Sequence, residues 1–268
     1  MKNLKFIVIV LIAILEFSSC SKAPDNIIEK KLVKINWVKN ETIKVFNASF
    51  EYNQEGKLIS VNEEMFNHDN NSLIILSYIY AWSENSIDVI EDGIIKKLND
   101  STENKLTRKY TLTLENNRFA KVVYNGEEQE EYNYTYDSEG RLKHFENVIS
   151  DATYEWDGDK LMSVESNNLT SSKSHKFTYG NISCVKGYNP KITLILAAEV
   201  LTIAHPELAG MKITQCIQSE DIHYYEDEQS YSYKYNYEFD KEGYITKIIE
   251  TETNVETPAI NTYTLTWE

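Results

Sequence analysis

Tyr132-Asn133-Tyr134-Thr135-Tyr136-Asp137-Ser138-Glu139-Gly140-Arg141-Leu142 is the stretch that decides the fold. Its three tyrosines alternate with polar residues, which is the period of two expected for a strand with one buried face. Asp137 to Gly140 has the composition of a tight turn, because Asp accepts backbone N–H bonds and Gly adopts positive φ without a steric clash. Leu142 then begins a returning strand, so the stretch predicts strand, turn and strand.

The same unit recurs along the chain. Ser49–Ile59 and Tyr235–Ile245 are close copies, and shorter versions turn over Asp157-Gly158 and Asn116-Asn117, pairs that tolerate the two positive φ angles of a type I′ hairpin. A repeated hairpin unit predicts an all-β fold rather than one active-site motif. We expect an antiparallel meander of repeated hairpins that forms a soluble barrel or a strongly curved sheet.

Three segments refine this prediction. Leu73–Trp82 is apolar on both faces, which indicates a central strand or one covered on both sides. Ile87–Ile90 and Ile94–Leu98 flank Asp92-Gly93 as separate strand-like runs. One buried apolar helix is predicted near residues 190–204: Asn189-Pro190 suits a helix start, the residues that follow leave almost no polar face, and His205-Pro206 disfavours continuation.

The N-terminus has the pattern of an export signal. Lys2 and Lys5 precede an apolar run, Phe6–Leu15, which is too short to span a bilayer. Small residues then lead directly into Cys20, which resembles a bacterial lipobox; the alternative is an ordinary secretory signal. We therefore expect a lipoprotein signal peptide at 1–19, a lipidated Cys20 with a tether at 20–30, and one β domain at 31–268. The predicted location is the cell envelope, on an outer-membrane lipid anchor, facing either the periplasm or the cell surface.

Charge and cysteine content narrow the function further. The net charge of −15 would repel phosphate backbones, so nucleic-acid binding is excluded as a function class. Export would place Cys184 and Cys216 where a disulfide can form, whereas lone buried cysteines are common in protein cores. The sequence leaves both alternatives open.

No enzyme signature is present. The sequence lacks the common zinc-protease, serine-hydrolase and phosphate-loop motifs, and its five histidines are scattered without metal-ligand spacing. Five acidic residues have a superficial calcium-ligand pattern that suits hairpin turns better: Asp137, Glu139, Asp157, Asp159 and Asp240. We therefore assign no catalytic, cofactor-binding or metal-binding residue and predict no cofactor.

The tyrosine-plus-Asp-x-x-Gly hairpins resemble YD repeats of the RHS type. Together with Phe17–Cys20, Asn189-Pro190 and the closing run Phe239–Ile248, they resemble an uncharacterised family of Bacteroidota lipoproteins. The resemblance covers nearly the whole mature chain and implies the fold described for that family as porin-like. Because the family has no assigned activity, it transfers no catalytic residue.

The tyrosines have the most functional promise. Aromatic faces stack on sugar rings, but Tyr132, Tyr134, Tyr136, Tyr233, Tyr235 and Tyr237 are more simply read as core residues whose hydroxyls reach the rim. We expect an envelope-anchored, non-enzymatic binding or scaffold module for a glycan or another extracellular ligand, with the membrane as a partner through the anchor. The alternatives are a barrel that carries a small apolar ligand and a hydrolase with an unrecognised carboxylate pair.

Overall fold

The computed structural model describes residues 29–68, 71–99, 102–125, 131–169, 171–184, 201–211 and 213–268. Lys31–Glu268 is a compact unit in which sixteen antiparallel strands form a closed barrel. Each strand pairs with its neighbours in sequence, and β1 pairs with β16. The strands are β1 Leu32–Lys39, β2 Ile43–Tyr52, β3 Leu58–Asn67, β4 Ser72–Trp82, β5 Ser86–Lys97, β6 Glu103–Glu115, β7 Arg118–Tyr124, β8 Glu131–Tyr136, β9 Leu142–Glu146, β10 Ser150–Asp157, β11 Lys160–Asn168, β12 Ser172–Ser183, β13 Gln215–Tyr224, β14 Gln229–Phe239, β15 Ile245–Glu252 and β16 Ile260–Trp267. The predicted meander is confirmed, and the choice between barrel and curved sheet is resolved as a closed barrel.

The barrel has two distinct ends. Lys31 and Glu268 meet at one of them, which we call the terminal end, and there the turns join each even-numbered strand to the next odd-numbered one. The turns that join odd-numbered strands to the next even-numbered strand lie at the other end, which we call the distal end. All of the repeated Asp/Asn-x-x-Gly turns therefore lie at the terminal end.

The three longer turns share one hydrogen-bond pattern. The side-chain Oδ1 of Asp137 accepts the backbone N–H groups of Glu139 and Arg141, both at 2.9 Å. Asn53 and Asp240 do the same in their turns, at 2.9–3.0 Å. In each turn the glycine has positive φ, as at Gly140 (77°), so the composition argument made from the sequence holds.

The short turns differ in one detail. Asn116 and Asn117 both have positive φ, at 52° and 59°, as a type I′ turn requires. The other loop consists of Gly158 and Asp159 rather than Asp157-Gly158, and only Gly158 has positive φ. That turn is therefore not type I′.

Aromatic side chains connect strands where main-chain pairing stops. Within β7–β8 the last pair toward the terminal end is Lys121–Asn133; beyond it, the Tyr136 hydroxyl donates to the Phe119 carbonyl at 2.7 Å. The described residues contain seven such bridging aromatic residues: Tyr52 to the Leu32 carbonyl (2.8 Å), Trp82 to Leu58 (2.7 Å), Tyr136 to Phe119 (2.7 Å), Trp156 to Leu142 (2.7 Å), Tyr179 to Leu161 (2.8 Å), Tyr237 to Ile217 (2.8 Å) and Trp267 to Ile245 (2.6 Å). Each bridges an odd-numbered strand and the next even-numbered strand, so a carbonyl that would lack a ladder partner is hydrogen-bonded.

The β5–β6 hairpin lacks such a bridge. Its pairing runs to Ser86–Thr113, and the Leu114 N–H then donates to the Asn85 carbonyl at 2.8 Å. Leu114 pairs with Phe119 at the next turn, in the register position that the donors Tyr52, Tyr136 and Trp156 occupy in β2, β8 and β10. In this hairpin, main-chain hydrogen bonds therefore join the two strands at the terminal end, where an aromatic side chain joins them in the other seven hairpins.

Residues 201–211, between β12 and β13, lie across the terminal end of the barrel. They contain helix α1, Leu201–Ala204, and a 3-10 helix, Pro206–Ala209. The Leu58 N–H donates to His205 Nε2 at 3.3 Å on one side of the barrel, and the Leu142 N–H lies 3.4 Å from the Gly210 carbonyl on another. Because residue 210 also approaches the Gly140 carbonyl closely and has a φ of 63°, only glycine fits there.

This segment, residues 201–211, packs against the barrel core. Leu201, Ile203 and Leu208 are buried, and they belong to one hydrophobic cluster with residues from all around the wall. The buried apolar character predicted for residues 190–204 is thus seen at Leu201–Ala204, whereas Asn189-Pro190 and the rest of the predicted helix lie outside the described residues. None of the helices in the described residues has the length and apolar character needed to cross a membrane.

One strand prediction is confirmed in its first alternative and one needs correction. β4 is a central strand that pairs with β3 and β5, and it is not covered on both sides, because Ile79 on its outer face is 53% exposed. β5 runs unbroken through Asp92-Gly93, so the two separate runs predicted there are wrong. A Cβ at residue 93 would lie 2.8 Å from the Leu76 side chain, which would have to shift.

The outer face of the barrel is polar. Cross-strand pairs include Thr107–Asp92 and Thr111–Asp88, both at 2.8 Å, and Lys247–Glu238 at 2.9 Å. A lipid-facing band excludes such charges, since each basic residue at midplane depth costs about 2–4 kcal/mol. On β14 the outward-facing positions include Lys234 and Glu238, and charged side chains continue on the outer face of other strands.

Candidate functional site

The six tyrosines of the sequence analysis all lie on the inner face of β8 and β14, but only some are fully buried. Tyr235 is buried, and its hydroxyl donates to Glu220. Tyr132 and Tyr134 are half-buried and stack with Phe145, their ring centroids 5.6 and 5.3 Å from its own. The core interpretation therefore fits most of these side chains. Their hydroxyls are not simply at the rim, because Tyr136 and Tyr237 bridge strands.

A cleft opens where β7 and β8 separate at the terminal end. Its volume is about 370 Å³. The lining comprises Glu115, Asn116, Arg118, Phe119, Ala120, Tyr134, Tyr136 and the turn Asp137–Gly140. Main-chain pairing between the two strands covers only Lys121–Val123 and Glu131–Asn133, so the wall beyond it is formed by side chains.

Arg118 is the basic group of this cleft. Its guanidinium lies 5.7 Å from the centre of the Tyr136 ring and occupies the space that a side chain at residue 140 would need. Asp137 is already engaged by Arg141 at 2.7 Å, and although burial opposes it, the hydrogen bonds from Arg141 keep the Asp137 pKa below its ordinary value. The cleft thus combines aromatic rings with one guanidinium and three carboxylates.

Two glutamates lie near each other on the inner face of β3 and β5. Glu63 and Glu91 are only 4% and 6% exposed, and Arg108 lies 3.8 Å from Glu91. Burial, together with the nearby Glu91 carboxylate, raises the pKa of Glu63 to about 7. The Oε1 atom of Glu63 has no hydrogen-bond partner among the described residues. Glu63 is therefore half-protonated near neutral pH.

A second set of buried polar groups runs across β12–β16 and β1. His175 Nδ1 lies 2.7 Å from Glu220 Oε1, and Tyr235 donates to the other oxygen of that carboxylate. The amide of Asn261 donates to Glu250 at 2.6 Å and accepts from Trp37 at 3.1 Å. Burial and the two carboxylates raise the pKa of Tyr235, so its hydroxyl keeps its proton.

Cys184 and Cys216 are adjacent where the chain leaves β12 and returns into β13. Both thiols are reduced and buried in this structure, and the Cys184 N–H donates to the Thr214 carbonyl at 2.9 Å. A hydrogen bond between the thiols, together with burial, raises the Cys216 pKa. The structure thus brings together the two cysteines for which the sequence left pairing open.

The other candidate residues stay apart. Asp137 and Asp240 serve as turn acceptors, and no group of three or more His, Cys, Asp or Glu side chains suited to a metal ion occurs in the described ranges. Cys20 lies outside the described residues. Sequence reasoning missed Arg118 and Glu63. Glu63 carried a detectable signal, because period two places it on the same face as Val61 and Met65.

The comparisons with known proteins agree with this architecture. A porin-like protein from Bacteroides uniformis ATCC 8492 superimposes with a TM-score of 0.62 at 12% identity, covering 88% of this chain and 98% of its own. A porin-like protein from Bacteroides vulgatus ATCC 8482 gives a TM-score of 0.56 at 14% identity, covering 90% and 99%. No protein-family model and no curated protein matches the sequence. At these identities the likeness is one of fold: the chain has the barrel of these porin-like proteins.

Proposed function

We propose that the protein is a lipid-anchored, non-enzymatic binding module of the bacterial cell envelope, and that the cleft between β7 and β8 binds a neutral glycan. The observation that carries the proposal is the cleft itself. It places the half-buried rings of Tyr134 and Tyr136 beside Arg118 and acidic side chains at a break in main-chain pairing. The lipobox-like Phe17–Cys20 supports the anchor.

The chemistry of the cleft favours neutral sugars. A sugar ring has an apolar face that stacks on aromatic rings and hydroxyls that hydrogen-bond to carboxylates and a guanidinium. Arg141 pairs with Asp137 at 2.7 Å and with Glu139 at 3.0 Å, so the three carboxylates of the cleft are set against two guanidiniums. The remaining negative charge, together with the net charge of −15 of the chain, disfavours sulfated sugars and uronic acids.

The two alternative functions have less support. A carrier of an apolar ligand needs a hollow interior, whereas residues 201–211 and the surrounding core fill the barrel at its terminal end. A hydrolase needs a carboxylate pair that a substrate can reach, whereas Glu63 and Glu91 are buried in the core. Their pairing fits a structural role better than a catalytic one.

The test uses residues 21–268 with panels of neutral and acidic glycans, following melting temperature and the release of reducing ends in the same samples. We expect a neutral glycan to raise the melting temperature without product. Arg118→Ala should abolish that shift. Lys160→Ala is the matched control, because Lys160 lies 6.0 Å from the Tyr179 ring in an equivalent contact at another hairpin. Product formation, or an equal loss of the shift in both variants, would overturn the proposal.

Lipidation has a separate test. Cys20→Ala should release the full chain from membrane fractions when it is expressed in a Bacteroides host, with Cys184→Ala as the matched control. Retention of Cys20→Ala in the membrane fraction would contradict the anchor without bearing on the cleft.

A further inference from the structure

Two neighbouring distal turns carry unusually exposed apolar side chains. Val148 and Ile149, in the turn between β9 and β10, are 77% and 50% exposed; Leu169, in the turn between β11 and β12, is 79% exposed. At the terminal end the tight turns carry polar residues instead, such as Asn116-Asn117 and Gly158-Asp159. The difference between the two ends points to contact with an apolar partner at the distal end.

The backbone of both turns is well hydrogen-bonded. Asn147 Oδ1 accepts the N–H groups of Ile149 at 2.9 Å and Ser150 at 2.7 Å, and Asn168 Oδ1 accepts that of Ser171 at 2.8 Å. These bonds hold the turns in conformations that direct the apolar side chains outward. They also lower the cost of removing the turns from water, because the polar groups already have partners.

The shape of this surface favours a lipid bilayer over a folded protein as the partner. The three side chains protrude at the tips of separate turns, whereas a folded protein usually binds in a groove or on a flat apolar patch. Between the turns lies a depression of about 460 Å³ whose walls include Asn147, Ser150 and Asn168 together with the carboxylates of Glu146 and Asp151. A lipid surface has polar headgroups above apolar acyl chains. The apolar tips could therefore contact the acyl chains while the polar depression between them contacts the headgroups.

The charge distribution restricts the lipid. The tips of these two turns are uncharged, but Glu146 and Asp151 line the depression between them. Further acidic residues occupy other distal turns, with Glu226, Asp227 and Glu228 between β13 and β14 and Glu256 between β15 and β16. With a net charge of −15, the chain would be repelled by an anionic surface. A zwitterionic lipid surface avoids this repulsion.

The lipid anchor does not oppose this orientation. Ser21–Lys31 is eleven residues, which span at most about 36–40 Å when fully extended. A strand of 12 residues such as β5, tilted by roughly 40°, gives a wall about 30 Å high. The chain that enters at the terminal end is therefore long enough for the distal end to contact the same bilayer.

We propose that Val148, Ile149 and Leu169 insert into the surface of a zwitterionic lipid bilayer, so that the barrel stands on its distal end. The cleft between β7 and β8, at the terminal end, would then face away from the lipid. This inference does not depend on glycan binding or on lipidation of Cys20, because its test lacks both.

The experiment measures flotation of residues 21–268, which lack the anchor, with phosphatidylcholine vesicles. We expect the protein to float with these vesicles, and Val148→Asp/Leu169→Asp to reduce the bound fraction at least about tenfold, since two buried apolar side chains are replaced by charges. Ile79→Asp/Ile182→Asp is the matched control: both residues are exposed and apolar but lie away from the distal turns, and binding should be unchanged. Vesicles of phosphatidylglycerol should bind more weakly.

A second readout is independent of partitioning. Leu169→Trp should show a blue shift in tryptophan emission on adding phosphatidylcholine vesicles, and Ile182→Trp should not. Failure of the unmodified protein to float, or equal losses in both double variants, would overturn the proposal. A dimer in sedimentation that only Val148→Asp/Leu169→Asp dissociates would assign the surface to a second copy of the chain instead.

Discussion

The β5–β6 hairpin and the β13–β16 arc close the same barrel wall by different means. In β5–β6 the main-chain ladder runs to the terminal end, and the described side chains add no bridge there. In β13–β16 the ladder stops early, and Tyr237 and Trp267 supply the missing donors. An aromatic donor is therefore present where two strands diverge and dispensable where they do not.

The inner faces of the two regions differ in the same way. Glu220 and Glu250 of the arc are hydrogen-bonded by Tyr235 and Asn261. Next to β5–β6, the Glu63 carboxyl is protonated over a wide pH range instead. In the arc each of these carboxylates has a side-chain donor on at least one oxygen, whereas Glu63 Oε1 has no partner among the described residues and its carboxyl group is neutralised through a raised pKa. Four predictions test this difference, from the largest expected effect to the smallest.

The largest effect should come from a covalent link at the start of the arc. In protein exported to an oxidising compartment we expect Cys184 and Cys216 to form a disulfide that closes a loop of roughly 30 residues and stabilises the fold by about 3–4 kcal/mol. Urea unfolding with and without reductant measures this contribution, and Cys184→Ser/Cys216→Ser should not respond to reductant. Two free thiols per chain in denatured, exported protein would contradict the prediction.

Removal of a bridging aromatic residue should come next. Trp267→Ala loses the hydrogen bond to Ile245 and the contact with Tyr244, whose ring centroid is 5.3 Å away. We expect the free energy of unfolding to fall by about 3 kcal/mol. Trp267→Phe keeps most of the ring packing and should recover the larger part of that loss. If the two variants are equally destabilised, packing makes no contribution beyond the hydrogen bond.

The pH dependence of stability should separate the two regions. The pKa of Glu63 is raised from 4.5 to about 7, so between these values the folded chain holds a proton that the unfolded chain has lost. The stabilisation from this group is complete below pH 4.5 and is lost as pH rises through about 7, by about 3 kcal/mol in all. Glu63→Gln should be more stable than wild type at pH 8 and close to it at pH 4. Glu238→Gln, on the outer face, should show no such dependence in urea unfolding.

The smallest effect should be the loss of one bridging hydroxyl. Tyr237→Phe leaves the Ile217 carbonyl without this donor and should cost about 1 kcal/mol. Tyr52→Phe and Tyr179→Phe should behave alike, and their effects should add because the sites are far apart. Urea unfolding of the single and double variants gives the comparison. Wild-type stability in all three would show that water replaces the hydroxyl without loss.

The hairpins could be predicted from the sequence, but the closure of the barrel could not. Turn chemistry is local, so Asp137, Gly140 and their counterparts identify the turns directly. Closure depends on the pairing of β1 with β16, such as Ile35 with Leu265, and no local pattern reports a contact between residues so far apart.

The candidate site was predictable only in part. The sequence singled out Tyr134 and Tyr136 as aromatic residues with functional promise, and both line the cleft. The cleft itself depends on where the pairing of β7 with β8 ends, which is a property of the curved wall rather than of either strand. Arg118 lines the cleft because β7 and β8 separate there, so no sequence motif could have identified it.

Lys31 and Glu268, the two ends of the compact unit, lie next to each other, and this determines how the barrel can be circularly permuted. Lys31 and Glu268 exchange two backbone hydrogen bonds, at 2.6 and 2.9 Å, in the position that a tight turn occupies between other strands of the wall. A tight turn could therefore connect residue 268 to residue 31 without disturbing the wall. A circular permutant that makes this connection and opens the chain at Gly158-Asp159 should fold with a cooperative melting transition. Its new N-terminus would still emerge at the terminal end but on another side of the circumference, so permutation moves the point at which the chain enters the barrel without inverting it.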